Sequence, residues 1–425
     1  MRPDEPRRVD RERAVIVSGG LTSASAVRVA IIGAGPIGLE AALKASRAGL
    51  DTAVYERGRT AESVRDWGHV QLFSPFGLNS STRGREAVGS SLPGDGALLT
   101  GDEFVESYLE PLAAVVAGSA EIHERSSVVA VSRESTWKHQ LVGRRREATD
   151  RFRLLIETPG GETTDSADIV LDCSGTWGNH RWIGAGGMPC PGERTLLGGE
   201  DYRIPNLEGS DRERFADQHT VVVGSGHSAA TSVVALAEMA TRFSSTRLTW
   251  ITLAGGATPL EPVVDDPLPA RAELVAAANR LAVETGSVVD WCPGCLVLGL
   301  DGQPGQLSME VDEPGRGRRV IQAGRILGQV GFRPDRSVYE ELQVQECYAT
   351  AGPIRLAASL LGETSTDCLA QGGGDLATLQ SPEPDFYIVG SKSYGRDARF
   401  LIRVGLEQVE LVLDHVIDTH AGVTA

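Results

Sequence analysis

Two glycine-rich loops, each lying between a predicted strand and a predicted helix, constrain this fold more than any other feature. The first loop follows the apolar, β-branched segment 27–32 and has the sequence Gly33-Ala34-Gly35-Pro36-Ile37-Gly38. The second follows the similar segment 220–223 and has the sequence Gly224-Ser225-Gly226-His227-Ser228-Ala229. A strand, a glycine turn, a helix and a further strand form a βαβ unit, whose strands are parallel. The chain is therefore predicted to be an α/β protein with two Rossmann-like domains.

The first loop has the G-x-G-x-x-G spacing of a dinucleotide-binding fingerprint. Gly33 permits the tight turn, Gly35 allows the close approach of a pyrophosphate, and Gly38 lets the helix pack against the strand. Pro36 starts the helix, where its missing N–H has no intrahelical partner anyway. Glu56 closes the next predicted strand, the position from which an acid hydrogen-bonds ribose hydroxyls. These residues predict a complete dinucleotide site.

The second loop has the G-x-G-x-x-A form of the same fingerprint. It predicts a second dinucleotide site at Gly224, Gly226, His227, Ser228 and Ala229. The strand after it ends at about Leu253 with neither an acid that would select NADH nor an Arg that would bind a 2′-phosphate. Arg271 could supply a cation for the 2′-phosphate only if it folded back towards this loop. The alternative is a decayed cofactor site that is kept as a scaffold.

Composition excludes several other classes of protein. A chain of 425 residues is long enough for two domains. A formal net charge of −16 argues against nucleic acid or anionic membranes as partners, and no stretch has the ~20 consecutive apolar residues of a membrane span. Residues 1–26 mix Arg with acids and contain no apolar core, which predicts a flexible arm and not a secretory signal. We therefore expect a cytoplasmic protein.

The paired loops resemble those of the two-dinucleotide-binding-domain flavoproteins, the family that includes flavin-containing monooxygenases, Baeyer–Villiger enzymes and thioredoxin reductases. Segments 168–175 and 328–335 are similar to the two strand-to-glycine crossings between that family's domains. Segment 385–391 resembles its late strand–glycine element, except that Ser391 stands where the family has Asp. The resemblance covers residues 27 to about 415. It implies FAD in the first domain, held also by Gly175, Gly390 and Ser391, and NADPH in the second, with NADH not excluded.

The resemblance also implies how the domains are arranged along the chain. The FAD-binding domain would be discontinuous, with residues 27–205 and 325–425. The NAD(P)H-binding domain, residues 206–324, would be inserted into it. A Gly- and Pro-rich break at 184–192 precedes this insertion.

Within the family, the second loop is similar to that of flavin-containing monooxygenases, where Asn often replaces His227. This branch implies an FAD-dependent monooxygenase that uses NAD(P)H and O2. It would act through a flavin C4a-(hydro)peroxide on a small molecule, by N-, S- or Baeyer–Villiger-type oxygenation. Asn79 would match the Asn that these enzymes place near the flavin, where an amide hydrogen-bonds that adduct. The chain is a relative of this branch, because the signature F-x-G-x-x-x-H-x-x-x-[FY] does not precede the second loop.

Three further side chains are candidates for catalysis. Trp67 could stack on the flavin, and His69 could act as an acid or base near physiological pH. Arg396 follows the late strand, where a cation would stabilise negative charge on a reduced flavin. The alternatives are that Trp67 is an aromatic side chain packed within a loop, that His69 faces solvent and that Arg396 is a surface cation.

Two other functions stay open. The missing selector after Leu253 suggests an oxidase or dehydrogenase that no longer uses NAD(P)H. The pair Cys292 and Cys295 suggests a disulfide reductase, although Pro-Gly between them is an ordinary turn. Metal binding with distant Cys or His ligands is a third interpretation of the pair, and no metal site is predicted. The resemblance also allows a homodimer.

Overall fold

The computed structural model describes residues 26–362 and 374–420, so the predicted arm lies almost entirely outside the described residues. The strands are β1 (Arg28–Ile32), β2 (Asp51–Tyr55), β3 (Glu121–His123), β4 (Ser127–Arg133), β5 (Phe152–Thr158), β6 (Gly161–Ala167), β7 (Ile169–Asp172), β8 (His219–Val223), β9 (Arg247–Thr252), β10 (Val289–Pro293), β11 (Leu296–Gln303), β12 (Gln306–Glu313), β13 (Gly317–Ala323), β14 (Arg325–Gly328) and β15 (Phe386–Ile388).

The α-helices are α1 (Pro36–Arg47), α2 (Glu62–Arg65), α3 (Phe76–Asn79), α4 (Thr82–Val88), α5 (Gly101–Phe104), α6 (Glu110–Val116), α7 (Glu193–Leu196), α8 (Arg212–Phe215), α9 (His227–Arg242), α10 (Pro269–Val283), α11 (Ile354–Gly362), α12 (Leu376–Leu379) and α13 (Ile402–His420). Single 3-10 turns cover Arg145–Glu147, Ala185–Gly187, Gly199–Tyr202, Ser337–Tyr339 and Gly390–Tyr394. Within the described ranges, no helix combines the length and the apolar character needed to cross a bilayer.

The first domain is built on a five-stranded parallel sheet in the order β15-β7-β1-β2-β3. Successive side chains of a strand point to opposite faces. Val29 and Ile31 of β1 accordingly join the core formed with α1 and α13, whereas Ala30 and Ile32 join the core formed with β4 and β5. Both faces are covered, which explains the continuous apolar sequence of β1.

The second domain repeats this plan with a four-stranded parallel sheet in the order β10-β9-β8-β14. Val222 of β8 packs into the core formed with α9 and α10. Val221 and Val223 point to the opposite face, against the antiparallel sheet β11-β12-β13. The predicted fold class, α/β with two Rossmann-like domains, is confirmed.

The second structural unit is larger than the predicted insertion 206–324. Strand β14, placed by the sequence in the FAD-binding domain, pairs with β8 through Arg325 and Thr220. Ile183 and Tyr202 are buried in the core of the second domain as well. We therefore place this unit at about 183–328. The Gly- and Pro-rich composition of residues 184–192 indicates turns, but it does not show which sheet the flanking residues pack against.

Residues 101–116 do not form one continuous α-helix, because the helix is interrupted ahead of Pro111. A π-helical segment, Val105–Leu109, separates α5 from α6. Proline has no N–H to donate, and its ring displaces the carbonyl four residues earlier, so the backbone widens at this point.

Candidate cofactor and active site

The first fingerprint loop leaves one of its glycines facing open space. Gly33 has φ +99°, and a Cβ there would lie 2.9 Å from the carbonyl oxygen of Cys173. A Cβ on Gly38 would lie 1.9 Å from the carbonyl oxygen of Gly33, so the protein itself requires both glycines. A Cβ on Gly35 would meet no atom within 4 Å. Gly35 caps α1, which starts at Pro36, so this open face adjoins a helix N-terminus suited to a phosphate.

Glu56 lies where a ribose-binding acid belongs. Its Oε2 accepts a hydrogen bond from the Ala34 N–H at 2.8 Å, and its Oε1 accepts one from the Gly58 N–H at 2.9 Å. Each carboxylate oxygen has a second lone pair, so Glu56 can also accept ribose hydroxyls. It lines a cavity of about 370 Å³ that extends along the ends of β1 and β2 to the segment 174–179. The residues of this cavity fit the adenosine and pyrophosphate parts of FAD.

The three other residues predicted to hold FAD come together from two segments of the chain. Gly175 has φ +68° and Gly390 has φ +73°, backbone conformations that favour glycine. A Cβ placed on Gly175 would lie 3.2 Å from Oγ of Ser391. The loops after β7 and β15 therefore meet beside the first fingerprint.

A fully buried ion pair lies directly below these loops. Nζ of Lys392 is 2.6 Å from Oδ2 of Asp172 and donates to Oγ of Ser174 at 3.0 Å. Oδ1 of Asp172 accepts from the N–H and the hydroxyl of Ser174. The pair thus joins the end of β7 to the turn after β15. Arg396, the predicted cation of this segment, is exposed instead, and its backbone N–H donates to the carbonyl of Thr350.

A second cavity of about 340 Å³ lies between the two domains. From the first domain it is lined by Trp67, Leu72, Phe73, Phe400 and Leu401. From the second it is lined by Tyr202, Ile204, His227, Ser228 and Leu268. The described lining residues include the cations Arg203 and Arg271 but no acid and no thiol. Trp177 lines this cavity and also the cavity beside Glu56, so the two are neighbours.

The second fingerprint loop repeats the geometry of the first. Gly224 has φ +138°, and a Cβ there would lie 2.1 Å from the carbonyl oxygen of Gln329. A Cβ on Gly226 would meet no atom within 4 Å. His227 and Ser228 start α9 and face the interdomain cavity, whereas Ala229 is buried in the helix. This loop can approach a pyrophosphate in the same way as the first.

The His227 ring forms the contact between this loop and the first domain. It makes an edge contact with the ring of Phe73 at a centroid distance of 5.6 Å. Burial, and secondarily the nearby charge of Arg271, lower the pKa of His227. The imidazole is therefore neutral at neutral pH and suits hydrogen bonding to a bound nucleotide.

Strand register shows which residue of the second domain corresponds to Glu56. Ile32 pairs with Tyr55, the residue before Glu56, and Val223 pairs with Ile251, so the equivalent position is Thr252. Thr252 is buried, and its Oγ1 donates to the Ala254 carbonyl and accepts from Nε1 of Trp291. No carboxylate stands at this position to select NADH.

The position after Thr252 does not select NADPH either. Leu253 is 72% exposed and carries no charge. Arg271 does fold back, as considered from the sequence, but towards His227. There its guanidinium forms a buried ion pair with Asp266 at 2.6 Å. The second loop therefore has no selector for the ribose or its 2′-phosphate at the end of β9.

The structure brings Trp67 to the interdomain cavity but separates it from the other predicted catalytic residues. His69 lies in a different, polar cleft, where burial lowers its pKa and its Nε2 has no hydrogen-bond partner among the described residues. Asn79 is buried, and its amide accepts from Oγ of Ser74 and donates to the carbonyl of the same residue. Neither side chain lines the cavity. Their catalytic roles stay predictions.

The sequence missed most of the cavity lining. Arg203 binds Asp66 at 3.2 Å and lies over the ring of Trp177, which itself donates to Asp66 at 2.8 Å. Phe332 packs against Trp177 with a centroid distance of 4.8 Å. The sequence signal for this lining was an aromatic residue near each segment where the chain crosses between domains, Trp177 and Phe332.

The cysteine pair lies away from both cavities. Cys292 and Cys295 are buried in the core of the second domain, and burial raises the pKa of Cys292 to about 12. Such a thiol is almost entirely protonated at neutral pH and is a poor nucleophile. Cys368 lies outside the described residues. The position of the pair gives no support to disulfide reduction at a flavin.

Solved structures share this architecture at low identity. They include a bacillithiol disulfide reductase from Bacillus cereus, with a TM-score of 0.66, 16% identity, and coverage of 93% of this chain and 100% of the other. They also include an ornithine N-hydroxylase from Kutzneria sp. 744, with a TM-score of 0.61, 13% identity, and coverage of 93% and 100%. A flavin-containing monooxygenase from Stenotrophomonas maltophilia has a TM-score of 0.56, 18% identity, and coverage of 93% and 99%.

Similarity at this level shows a shared fold, and no curated protein matches the sequence. The model of one protein family, however, matches residues 27–351, which is most of the chain and includes both fingerprint loops. The chain therefore belongs to the pyridine nucleotide-disulphide oxidoreductase family, a group of two-dinucleotide-binding-domain flavoproteins.

Proposed function

We propose that this protein is an FAD-dependent monooxygenase that oxidises NADPH or NADH and transfers one oxygen atom to a small apolar substrate. The observation that supports this most is the interdomain cavity, which is lined by His227 and Ser228 of the second fingerprint loop and neighbours the cavity of the first loop through Trp177. Its lining is mainly apolar and has no thiol among the described residues. In the overall reaction, substrate, O2, NAD(P)H and a proton give oxygenated substrate, water and NAD(P)+. FAD, when bound, supplies the redox chemistry.

The chain's own residues would orient the reactants and exclude water. Trp67, Phe73 and Phe400 form an apolar wall on the side of the first domain. Leu268 faces it from the second domain, and Phe332 from the segment that follows β14. An apolar wall would keep water out of the space in which FAD, when bound, supplies its chemistry. The neutral His227 would hydrogen-bond the nucleotide and leave the charge of the cavity unchanged.

The lining also indicates the class of substrate. A cationic amine would lose its hydration in this cavity without gaining a carboxylate partner, which is unfavourable. A neutral thioether or ketone needs no such partner. We therefore propose a neutral, apolar thioether or ketone as the substrate of this monooxygenase.

The test begins with the purified flavoprotein under anaerobic conditions. NADPH or NADH should bleach the flavin, and admission of ¹⁸O2 with a panel of thioethers, ketones and amines should give a product that contains one labelled oxygen. Exclusive formation of hydrogen peroxide across the whole panel would contradict oxygen transfer. If neither nucleotide bleaches the flavin, the proposal fails in favour of an oxidase reduced directly by its substrate, which is the alternative that Thr252 and Leu253 favour.

The missing selector leads to a specific prediction about the reductant. Wild-type flavin should be reduced by NADPH and NADH with efficiencies within about tenfold of each other, because neither Thr252 nor Leu253 distinguishes them. Leu253→Arg should favour NADPH by roughly tenfold, since a charge-assisted hydrogen bond to the 2′-phosphate contributes about 1.5 kcal/mol. Stopped-flow reduction with each nucleotide measures both ratios.

Val283→Arg is the matched control for this prediction. Val283 is 55% exposed at the end of α10 opposite to Arg271, so the variant adds the same charge at a distance from the loop. An equal gain for NADPH in both variants would mean that the effect is only general charge attraction. That result would contradict a selector position at Leu253.

A disulfide reductase is the second candidate, because a bacillithiol disulfide reductase is among the structures with this fold. The cavity, however, has no thiol among its described lining residues to relay electrons from flavin to a disulfide. We expect no NAD(P)H-dependent reduction of glutathione disulfide or 5,5′-dithiobis(2-nitrobenzoate) above the free-flavin background. Rapid turnover of either compound would favour the reductase instead.

A further inference from the structure

A cluster of two thiols and a carboxylate lies in the second domain, outside the proposed active site. Sγ of Cys292, Sγ of Cys295 and a carboxylate oxygen of Glu313 all lie within 4.8 Å of one another. The three residues are 1%, 3% and 9% exposed, respectively. The sequence left a redox pair, a turn and a metal site with distant Cys or His ligands open for the two cysteines, and it did not link Glu313 to them.

Local structure explains why these groups converge. Cys292 lies near the end of β10, an edge strand of the parallel sheet, and Gly294, with φ +70°, reverses the chain into β11. Leu296 of β11 pairs with Asp312 of β12, so Cys295 and Glu313 are neighbours at the next position of this ladder. The cluster therefore sits where the parallel sheet of the second domain joins its antiparallel sheet.

We propose that Cys292, Cys295 and Glu313 bind a borderline-soft divalent cation of the Zn²⁺ type, which links these two sheets. Thiolate and carboxylate are ordinary ligands of such a cation, and the C-x-x-C spacing lets two sulfurs bind one metal. Three protein ligands leave the fourth tetrahedral position for water. Binding displaces the two thiol protons to solvent.

Arg319 completes the charge balance of this site. Its Nη2 donates to Sγ of Cys292 at 2.9 Å, and its Nε donates to Glu313 at 2.5 Å. With both thiols ionised, the three negative charges are matched by the dication and this guanidinium. Hydrogen bonds of this kind to metal ligands hold them in orientation, and their loss typically weakens metal binding 10–100-fold.

The route for a metal ion to this buried cluster lies on the side of Glu313. Arg316, whose side chain is 71% exposed, pairs with Glu313 at 3.1 Å. The Glu313 carboxylate thus lies just beneath the exposed Arg316 side chain, whereas the two thiols are more deeply buried. A cation would therefore approach the cluster from the side of Glu313.

The test uses the flavin-loaded protein under reducing conditions, with Zn²⁺ or Co²⁺ alone as the probe. After dialysis, mass spectrometry should find about one equivalent of Zn²⁺ per chain. Co²⁺ should show the ligand-field bands of tetrahedral thiolate coordination, at longer wavelengths than the absorption of oxidised FAD. Cys295→Ser and Glu313→Gln should each weaken binding at least 10-fold, and Arg319→Gln 10–100-fold.

Cys190→Ser is the matched control, because Cys190 is buried in the same hydrophobic core but outside the cluster. It should keep full Zn²⁺ binding, and circular dichroism identifies any variant that fails to fold. Should Cys295→Ser not fold, Glu313→Gln alone decides between metal and no metal. The proposal is overturned if wild type retains no metal while its thiols titrate freely. It is equally overturned if a Cys292–Cys295 disulfide persists under these reducing conditions, seen as a mass lower by two hydrogens in the peptides that carry the pair.

Discussion

Replacing Gly35 with valine should give a folded protein that no longer retains FAD. Gly35 has φ −81° and ψ −171°, which any residue adopts, and a Cβ there would touch no protein atom within 4 Å. We propose that the pyrophosphate of FAD approaches the backbone at this open face. Overpacking of about 2–3 kcal/mol at this contact corresponds to a loss of roughly 30- to 150-fold in affinity. The flavin absorbance of the purified variant and titration with FAD measure this loss.

Gly226→Val is the matched control, because this glycine also has an ordinary conformation and open space beyond its Cα. That variant should keep its FAD and lose reduction of the flavin by NAD(P)H. Gly38→Ala, by contrast, should fail to fold, since its Cβ would lie 1.9 Å from a backbone oxygen. Full FAD content in Gly35→Val would contradict the assignment of the first loop to FAD.

Lys392→Met should lower the free energy of unfolding by about 3–5 kcal/mol. Both charged side chains of the Lys392–Asp172 pair are fully buried, so removal of the ammonium leaves an uncompensated carboxylate in the interior. The effect should be measured by urea denaturation of the apoprotein, so that flavin binding does not contribute. Loss of the pair should also loosen the loops that carry Gly175 and Ser391, which we expect to weaken FAD binding.

Two further variants test the cause of this destabilisation. Adding Asp172→Asn to Lys392→Met should restore more than half of the lost stability, because Asn keeps an oxygen for Ser174 and removes the buried charge. Arg396→Met removes an exposed cation from the same segment and should change stability by no more than about 0.5 kcal/mol. Equal losses in Lys392→Met and Arg396→Met would contradict a specific role for the buried pair.

The fold could be predicted almost completely because its determinants are local. Segment 27–32 is β-branched and apolar, Gly33 and Gly38 are required by backbone contacts, and Pro36 starts the helix. The same pattern at Gly224 gave the second domain. The bounds of that domain were less predictable, because β14 is a short apolar strand that could pair with either sheet.

The candidate active site was predictable only in part. Trp67 and His227 line the interdomain cavity. Asn79, however, is hydrogen-bonded to Ser74, and His69 lies in another cleft. Spacing along a loop does not show which side chains turn inwards. That choice depends on packing between segments that are distant in the sequence.

The sequence by itself determined two Rossmann-like domains, because a fingerprint is a local relation among backbone conformation, strand and helix. It also predicted Glu56 as the ribose-binding acid of the first site. Only the tertiary structure decided three other features. Strand register identified Thr252 as the residue in the selector position. The packing of the loops after β7 and β15 placed Lys392 beside Asp172 in the interior. The junction of the parallel and antiparallel sheets of the second domain placed Glu313 beside the cysteine pair. Each of these is a contact between residues whose separation along the chain carries no information about their distance in space.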